Sequence, residues 1–193
     1  TDEAASEIAD KLLNRLQHVE FDGLIVYDIQ DESSRIDIPR PFPYMRTLDP
    51  LAYSKLLREK AEKPVITYKS VSQRDKSTFI KWLDSAWNTY GVRDTVLVGS
   101  PSSEGEIQLS LNDAYAAISE HPANFQLGGV TIAERHAVKG NEHERLINKS
   151  ANGCEFFVSQ AVYNAQATMD MLSSYARKCR QDNITPKRVI LTF

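Results

Sequence analysis

The sequence predicts an α/β protein built on a parallel (β/α)8 barrel, of which about six strands are present in the 193 residues. Short runs of β-branched and aliphatic residues alternate with stretches of helical periodicity along the chain. The runs are apolar at successive positions, so both faces of each strand need cover, and helices that alternate with parallel strands supply it. No glycine-rich dinucleotide fingerprint follows any run, which disfavours a doubly wound sheet.

The six predicted strands recur at comparable intervals after a longer first interval, and each interval can hold the helix of a right-handed crossover. A closed barrel of this kind, the TIM-type barrel, has eight strands and about 250 residues. We therefore expect residues 1–193 to form a single barrel domain that lacks the first strand and the last unit. The predicted strands are residues 24–27, 65–68, 95–98, 127–132, 156–158 and 189–193.

The intervals between the strands carry helix signals. Asp49 and Pro50 form a cap followed by a first-turn proline, and Gly91 ends the helix that precedes it. Apolar residues recur there at three- and four-residue spacing, which predicts amphipathic helices. The apolar sets are Ile8, Leu12, Leu13 and Leu16; Leu51, Leu56 and Leu57; Phe79, Leu83, Ala86, Trp87 and Tyr90; Leu111, Ala114, Tyr115 and Ile118; and Met169, Leu172, Tyr175, Ala176 and Cys179.

Composition excludes several classes of partner. The chain is 41% hydrophobic and 25% charged with a net charge of −3, which gives no electrostatic footprint for nucleic acid or for an anionic membrane. No apolar run approaches the roughly 18 residues of a membrane span, and the acidic first residues do not form a secretory signal. We therefore expect a cytoplasmic protein, and the possibility of a homo-oligomer stays open.

Cys154 and Cys179 are expected to be small buried side chains rather than a disulfide or metal pair.

Polar residues gather at the predicted carboxyl ends of strands, where parallel barrels carry their working groups. Lys69 is placed for a Schiff base, although a solvated lysine just beyond the strand is favoured. The loop 99–103 offers backbone N–H groups to a phosphate but holds no Lys or Arg, so a flexible loop is favoured. Asp28, Asp31 and Glu32 crowd like charges that would raise a carboxyl pKa; a solvated acidic loop is the simpler interpretation.

A loose cluster of metal-ligand residue types follows the fourth predicted strand. It consists of Glu134, His136, Glu142 and His143. The spacing matches no standard zinc pattern, so we expect no metal there.

Gln160 follows an otherwise apolar strand. Its primary amide donates and accepts at once, as recognition of the edge of a pterin or flavin requires. Strand alternation places it on the same face as Phe156 and Val158. We expect the side chain to project from the carboxyl end of the strand into the barrel mouth, because a buried amide beside helices would need dedicated partners. From the residues alone, structural and ligand-binding roles stay equally open.

The segment around Gln160 resembles the methylenetetrahydrofolate reductases. Residues 149–164 are Lys-Ser-Ala-Asn-Gly-Cys-Glu-Phe-Phe-Val-Ser-Gln-Ala-Val-Tyr-Asn, similar to the family's order of lysine, Ala-Gly pair, apolar strand, Thr-Gln and aromatic residues. Residues 64–67 resemble the third-strand motif of the family, residues 91–100 its fourth strand and loop, and residues 133–136 its Pro-Glu-x-His. The resemblance implies a chain that runs from the first helix to the seventh strand of the family's barrel.

The resemblance implies reduction of 5,10-methylenetetrahydrofolate to 5-methyltetrahydrofolate in one-carbon and methionine metabolism. Its implied ligands are FAD, NAD(P)H as the reductant and tetrahydrofolate as the substrate. Gln160 matches the glutamine that holds the folate pterin, whereas the family's general-acid glutamate belongs to the absent first strand, so no catalytic residue is assigned. The cofactor-binding positions that we take from the resemblance and from the strand ends are Tyr27, Thr67, Gly99, Ser100, His136, Glu142 and Lys149.

Three substitutions depart from the family pattern. Val65 replaces the histidine that faces the flavin, and Val98 and Ser100 replace the arginine and aspartate of an Arg-Gly-Asp motif. Because a flavin diphosphate without its arginine loses a bidentate contact, these departures weaken the expectation of FAD.

Two alternatives to a reductase therefore stay open. One is a non-catalytic or methyl-transferring folate-binding protein on the same barrel, and the other is a Schiff-base enzyme centred on Lys69.

Overall fold

The computed structural model describes residues 2–30, 47–99 and 107–193. The chain divides into two compact units, Thr1–Phe125 and Gln126–Phe193. Asp31, Glu32, Ser100 and the rest of the loop that the sequence offered to a phosphate, residues 101–103, lie outside the described residues.

The described part of the first unit contains three strands, Leu24–Val26 (β1), Val65–Ser70 (β2) and Asp94–Val98 (β3). β1 pairs with β2, and β2 pairs with β3, both in parallel. The register places Ser70 opposite Val98, so β2 and β3 end at the same edge of the sheet. Polar residues that follow these strands are thereby brought to one edge, as a parallel α/β fold requires.

Helices alternate with these strands, and side-chain caps fix where they begin. Asp49 Oδ1 accepts a hydrogen bond from the backbone N–H of Ala52 at 3.0 Å, and Pro50 is the first helical residue, so the predicted cap is confirmed. The helices of the first unit are Asp2–Leu16 (α1), Pro50–Ala61 (α2), Lys76–Asn88 (α3) and Leu111–Glu120 (α4).

The turn after α3 depends on Gly91. This residue has φ +63°, and a Cβ there would lie 2.8 Å from a guanidinium nitrogen of Arg58. Arg58, on α2, donates to the carbonyl oxygens of Tyr90 at 2.7 Å and Gly91 at 3.0 Å. The arginine therefore ties α2 to this turn, and only glycine supplies both the backbone angle and the space.

The first unit buries an apolar cluster between its helices and its first two strands. Ala9, Val26, Leu57 and Val65 form the centre of this cluster. They come from α1, β1, α2 and β2, so each element contributes one face to a shared core. Burial of a Val or Leu side chain contributes roughly 1.5–3 kcal/mol, so this cluster helps to hold the two helices against the two strands.

The second unit repeats the parallel arrangement with its own strands. Its elements are Gln126–Thr131 (β4), Ala133–Lys139 (α5), Glu142–Ala151 (α6), Phe156–Ala161 (β5), Ala165–Gln181 (α7) and Arg188–Thr192 (β6). β4 pairs in parallel with β5, and β5 pairs in parallel with β6.

One face of β5 packs against α7. The Phe157 ring meets the Tyr175 ring edge-on, with centroids 6.3 Å apart. From the neighbouring strand β4, the Thr131 hydroxyl lies 3.8 Å from the sulfur of Met171. Cys154 and Cys179 are both buried, which confirms their predicted role as small buried side chains.

The parallel α/β class predicted from the sequence is confirmed, and the closed eight-stranded barrel is not shown. The six strands of the described residues lie within a few residues of the six predicted runs. Two helices, α5 and α6, were not predicted. No helix among the described residues has the length and apolar character needed to cross a membrane.

Candidate functional site

Asp28, just beyond β1, organises the carboxyl ends of the first two strands. Its Oδ2 accepts from Lys69 Nζ at 3.0 Å and from the backbone N–H of Ser70 at 2.9 Å. Its Oδ1 accepts from the side-chain amide of Gln30 at 2.9 Å. The side chains of Lys69 and Asp28 are only 8% and 10% exposed. The pair is therefore largely desolvated, and each charge depends on the other.

The prediction that Lys69 is a solvated lysine is wrong. The strand β2 continues to Ser70, so Lys69 is a buried strand residue rather than a loop residue. Its ammonium lies 5.7 Å from the centre of the Trp82 ring as well as against Asp28. Both contacts hold the amine in place, whereas a Schiff-base nucleophile must be free to attack a carbonyl carbon. The geometry therefore argues against Schiff-base chemistry at Lys69.

A polar cleft of about 290 Å³ opens beside this ion pair. Every residue that lines it carries a polar side chain, which distinguishes it from the mostly apolar pockets that hold whole drug-sized ligands. We call it the β2–α3 cleft, because most of its lining comes from the end of β2, the start of α3 and the turn between them. The residues that line it include Gln30, Lys69, Gln73, Arg74, Thr78 and Gln108.

An aromatic pair lies at the same end of β1 and β2. The rings of Tyr27 and Tyr68 have centroids 4.6 Å apart at an interplanar angle of 50°. Tyr68 is buried, whereas Tyr27 is 41% exposed. Burial raises the pKa of the Tyr68 phenol well above its ordinary value, and the neighbouring Tyr27 acts in the same direction. Tyr68 is therefore a neutral phenol that supports the exposed ring of Tyr27.

Two other predicted site residues of the first unit lie in different surroundings. Thr67 is fully buried and donates from its hydroxyl to Ser54 Oγ of α2 at 2.8 Å, so its side chain serves the contact between strand and helix. Gly99 directly follows β3, and a Cβ there would be at an ordinary contact distance of 3.7 Å from Leu111. Their assignment as cofactor-binding residues stays a prediction.

Glu142 is the most buried charged residue of the second unit, at 0% exposure. Its carboxylate accepts from the backbone N–H of Ile132 at 3.1 Å and lies 3.2 Å from Arg135 and 3.5 Å from Arg145. Both arginines remain partly exposed, so their own desolvation is limited. These contacts join the end of β4 to α5 and α6, and they account for both carboxylate oxygens.

Lys149 extends from α6 towards β4. Its Nζ donates to the carbonyl oxygen of Val130. Burial lowers the pKa of the Lys149 ammonium, and the carboxylate of Glu142 acts in the opposite direction. Lys149 and Glu142, both predicted cofactor contacts, therefore belong to one internal polar network of the second unit.

His136 and His143 face each other with ring centroids 5.2 Å apart, edge to face. The Nδ1 atom of each ring is buried without a hydrogen-bond partner among the described residues, and so is one carboxylate oxygen of Glu134. Within the described ranges no group of three or more His, Cys, Asp or Glu residues is arranged to hold a metal ion. The loose cluster seen in the sequence therefore brings its two histidines together, while Glu142 is engaged elsewhere.

Gln160 is exposed near the carboxyl end of β5. The pairing of β5 with β6 shifts register between Val158 and Ala161, which marks a β-bulge. Within it, the backbone N–H of Thr192 donates to Ser159 Oγ at 2.9 Å. Because a bulge interrupts the two-residue alternation, the face of Phe156 and Val158 does not fix where Gln160 points. Bulges of this kind often re-aim a side chain next to a functional site.

Comparison with known proteins gives similarity to solved structures alone. No protein-family model matches the sequence, and no curated protein matches it. An uncharacterized protein from Clostridium thermocellum that binds two copies of 5-methyl-5,6,7,8-tetrahydrofolic acid is similar over 99% of this chain, with 31% identity and a TM-score of 0.81. This chain covers 60% of that protein's length. Oxaloacetate acetylhydrolase is similar over 93% of this chain and 70% of its own, at 13% identity and a TM-score of 0.53, which shows a shared fold alone.

These comparisons overturn the resemblance to the methylenetetrahydrofolate reductases. Neither similar structure is a reductase of that family. The motifs misled because they are short apolar strands followed by polar residues, a pattern that every parallel α/β protein repeats at its strand ends. FAD, NAD(P)H and the reductase reaction followed from that resemblance and have no support in the comparisons.

The residues that sequence reasoning missed lie in the β2–α3 cleft. The predicted second strand ended at residue 68, whereas the strand continues through Lys69 and Ser70. The true turn starts at Val71, so Gln73 and Arg74 were overlooked. Asp75, which caps α3 by accepting from the backbone N–H of Thr78 at 2.9 Å, was the sequence signal that could have located this turn.

Proposed function

We propose that this protein is a folate-binding protein whose ligand is a reduced folate, 5-methyltetrahydrofolate. The observation that carries the proposal is the 31% identity, at a TM-score of 0.81, to a protein that binds two copies of this compound. The similarity extends over 99% of this chain, so it includes the strand ends where parallel α/β proteins hold their ligands. Because a fold alone does not define a function, the site residues must also suit the ligand.

Gln160 suits the pterin end of a folate. Its exposed amide sits beside a bulge at the end of a strand and presents one acceptor and one donor group. The edge of a reduced pterin offers a carbonyl oxygen beside N–H groups, the complement of a primary amide. We therefore assign pterin recognition in the second unit to Gln160.

Tyr27 suits the aromatic parts of the same class of ligand. Its ring is 41% exposed, and it is held in place by the buried, neutral Tyr68. A fixed and half-exposed phenol offers a flat face for the p-aminobenzoyl group or the pterin, at a low cost in conformational entropy. By contrast, Thr67 and Glu142 are fully buried and already hydrogen-bonded, so we assign no ligand contact to their side chains.

Ligand-induced thermal stabilisation tests this proposal. At a ligand concentration of 100 times Kd, binding adds about 2.7 kcal/mol, which for a chain of this size raises Tm by roughly 5–10 °C. We expect 5-methyltetrahydrofolate to give this shift and free p-aminobenzoylglutamate, which lacks the pterin, to give a much smaller one. An unchanged Tm with millimolar 5-methyltetrahydrofolate would contradict the proposal.

A further inference from the structure

The β2–α3 cleft has the size of a fragment site. Its volume of about 290 Å³ is at the lower limit of the roughly 300–1,000 Å³ of pockets that enclose whole small molecules. Its lining side chains are all of polar types, so it offers little for an aromatic ring to pack against. A compact, strongly polar group is therefore the occupant that fits it.

Arg74 is the cation of the cleft lining that has no partner among the described residues. Lys69 is paired with Asp28 at 3.0 Å. Asp75 keeps its negative charge but is engaged at the start of α3, where it accepts from both the backbone N–H and the hydroxyl of Thr78 at 2.9 Å. These bonds hold the pKa of the Asp75 carboxyl well below its usual range. Arg74 remains, and among the described residues its guanidinium has no hydrogen bond or ion pair.

The neutral lining adds amide donors beside this arginine. Gln30, Gln73 and Gln108 all border the cleft. Gln30 is oriented by its hydrogen bond to Asp28 at 2.9 Å, while Gln73 is exposed and free to turn towards a ligand. An arginine with neighbouring amide N–H groups is a donor set suited to a carboxylate, which accepts two parallel hydrogen bonds from a guanidinium.

We propose that the β2–α3 cleft binds the glutamate carboxylates of a folate held by the first unit, with Arg74 as the principal contact. This inference rests on the proposed function, because the folate supplies the carboxylates. A folic acid derivative carries a pterin at one end and a glutamate with two carboxylates at the other. The glutamate is compact and anionic, and it matches the size of the cleft and the donor groups that line it.

Binding of two ligands to two variants tests the inference. The ligands are 5-methyltetrahydrofolate and the primary amide of 5-methyltetrahydropteroate, called the pteroate below, in which an NH2 group replaces the glutamate and no carboxylate remains. We expect the wild-type protein to bind the pteroate about tenfold more weakly than the folate, the size of one lost charge-assisted contact. Arg74→Gln should bind the folate about tenfold more weakly than wild type does and the pteroate with unchanged affinity.

Arg15→Gln is the matched control, because Arg15 is exposed on α1 and does not line the cleft. It should bind both ligands like the wild-type protein. Equal wild-type affinity for folate and pteroate, or an Arg74→Gln loss of the same size for both ligands, would overturn the inference while leaving the proposed function intact. A further outcome is that free L-glutamate binds through Arg74 while folate and pteroate bind with equal affinity. That result would also overturn the inference, because the cleft would then bind glutamate without contributing to folate binding. A wild-type protein that binds neither ligand would instead contradict the proposed function itself.

Discussion

Replacing Asp28 with Asn should lower the free energy of unfolding by about 3–5 kcal/mol, the usual cost of breaking a buried ion pair. The substitution keeps the size of the side chain but removes the charge that Lys69 needs. Lys69 is 8% exposed and lies within 5.7 Å of the Trp82 ring, so water cannot replace the carboxylate cheaply. Urea denaturation followed by circular dichroism measures the change.

An exposed ion pair on the same unit provides the control. Asp10 lies 2.7 Å from Lys60, but its side chain is 55% exposed. Asp10→Asn should therefore cost under about 1 kcal/mol, as solvent-exposed pairs do. The double variant Asp28→Asn with Lys69→Met should recover most of the loss, because no unpaired charge stays buried and the amide oxygen can still accept from the backbone N–H of Ser70. Equal destabilisation by Asp28→Asn and Asp10→Asn would show that the burial of the pair does not matter.

Replacing Gln160 with Leu should weaken 5-methyltetrahydrofolate binding by roughly 10- to 100-fold. The loss corresponds to about 1.4–2.8 kcal/mol, which is the cost of leaving the polar edge of the ligand without its partner. Because Gln160 is exposed, the free energy of unfolding should stay within about 1 kcal/mol of the wild-type value. Calorimetric titration gives the affinity, and urea denaturation gives the stability.

Gln181→Leu is the control for this change, since Gln181 is also exposed and ends α7, away from the carboxyl end of β5. It should leave folate affinity unaltered. If Gln160→Leu bound the ligand normally, or if the variant unfolded, Gln160 would be a structural residue and pterin recognition would lie elsewhere.

The strands and most helices follow from local sequence pattern. Apolar runs locate the strands to within a few residues, and the Asp49-Pro50 cap places the start of α2. The helices α5 and α6 were missed because they contain few large apolar residues. The buried residues of α6 are Glu142 and Leu146. A hydrophobic pattern predicts that a glutamate is exposed, so it cannot identify Glu142 as a buried residue. Only the tertiary partners Arg135 and Ile132 reveal why it is inside.

The candidate site was predicted less well than the fold, for a similar physical reason. The sequence lists charged residues but not which of them neutralise each other. The Lys69–Asp28 pair joins residues 41 positions apart, and its burial reverses the expectation of a solvated lysine. Likewise, the bulge near Gln160 depends on pairing with β6, so alternation within β5 cannot show it.

Isothermal titration of the purified protein with 5-methyltetrahydrofolate tests the central claim most directly. We predict saturable binding with a Kd of roughly 10 μM or tighter, equivalent to about −7 kcal/mol. The heat should be reduced when Gln160→Leu replaces the wild-type protein under the same conditions. At about 1 mM ligand, even binding with a Kd of about 1 mM, equivalent to about −4 kcal/mol, would be visible. A titration without a saturable signal at that concentration would contradict the assignment of this chain as a folate-binding protein.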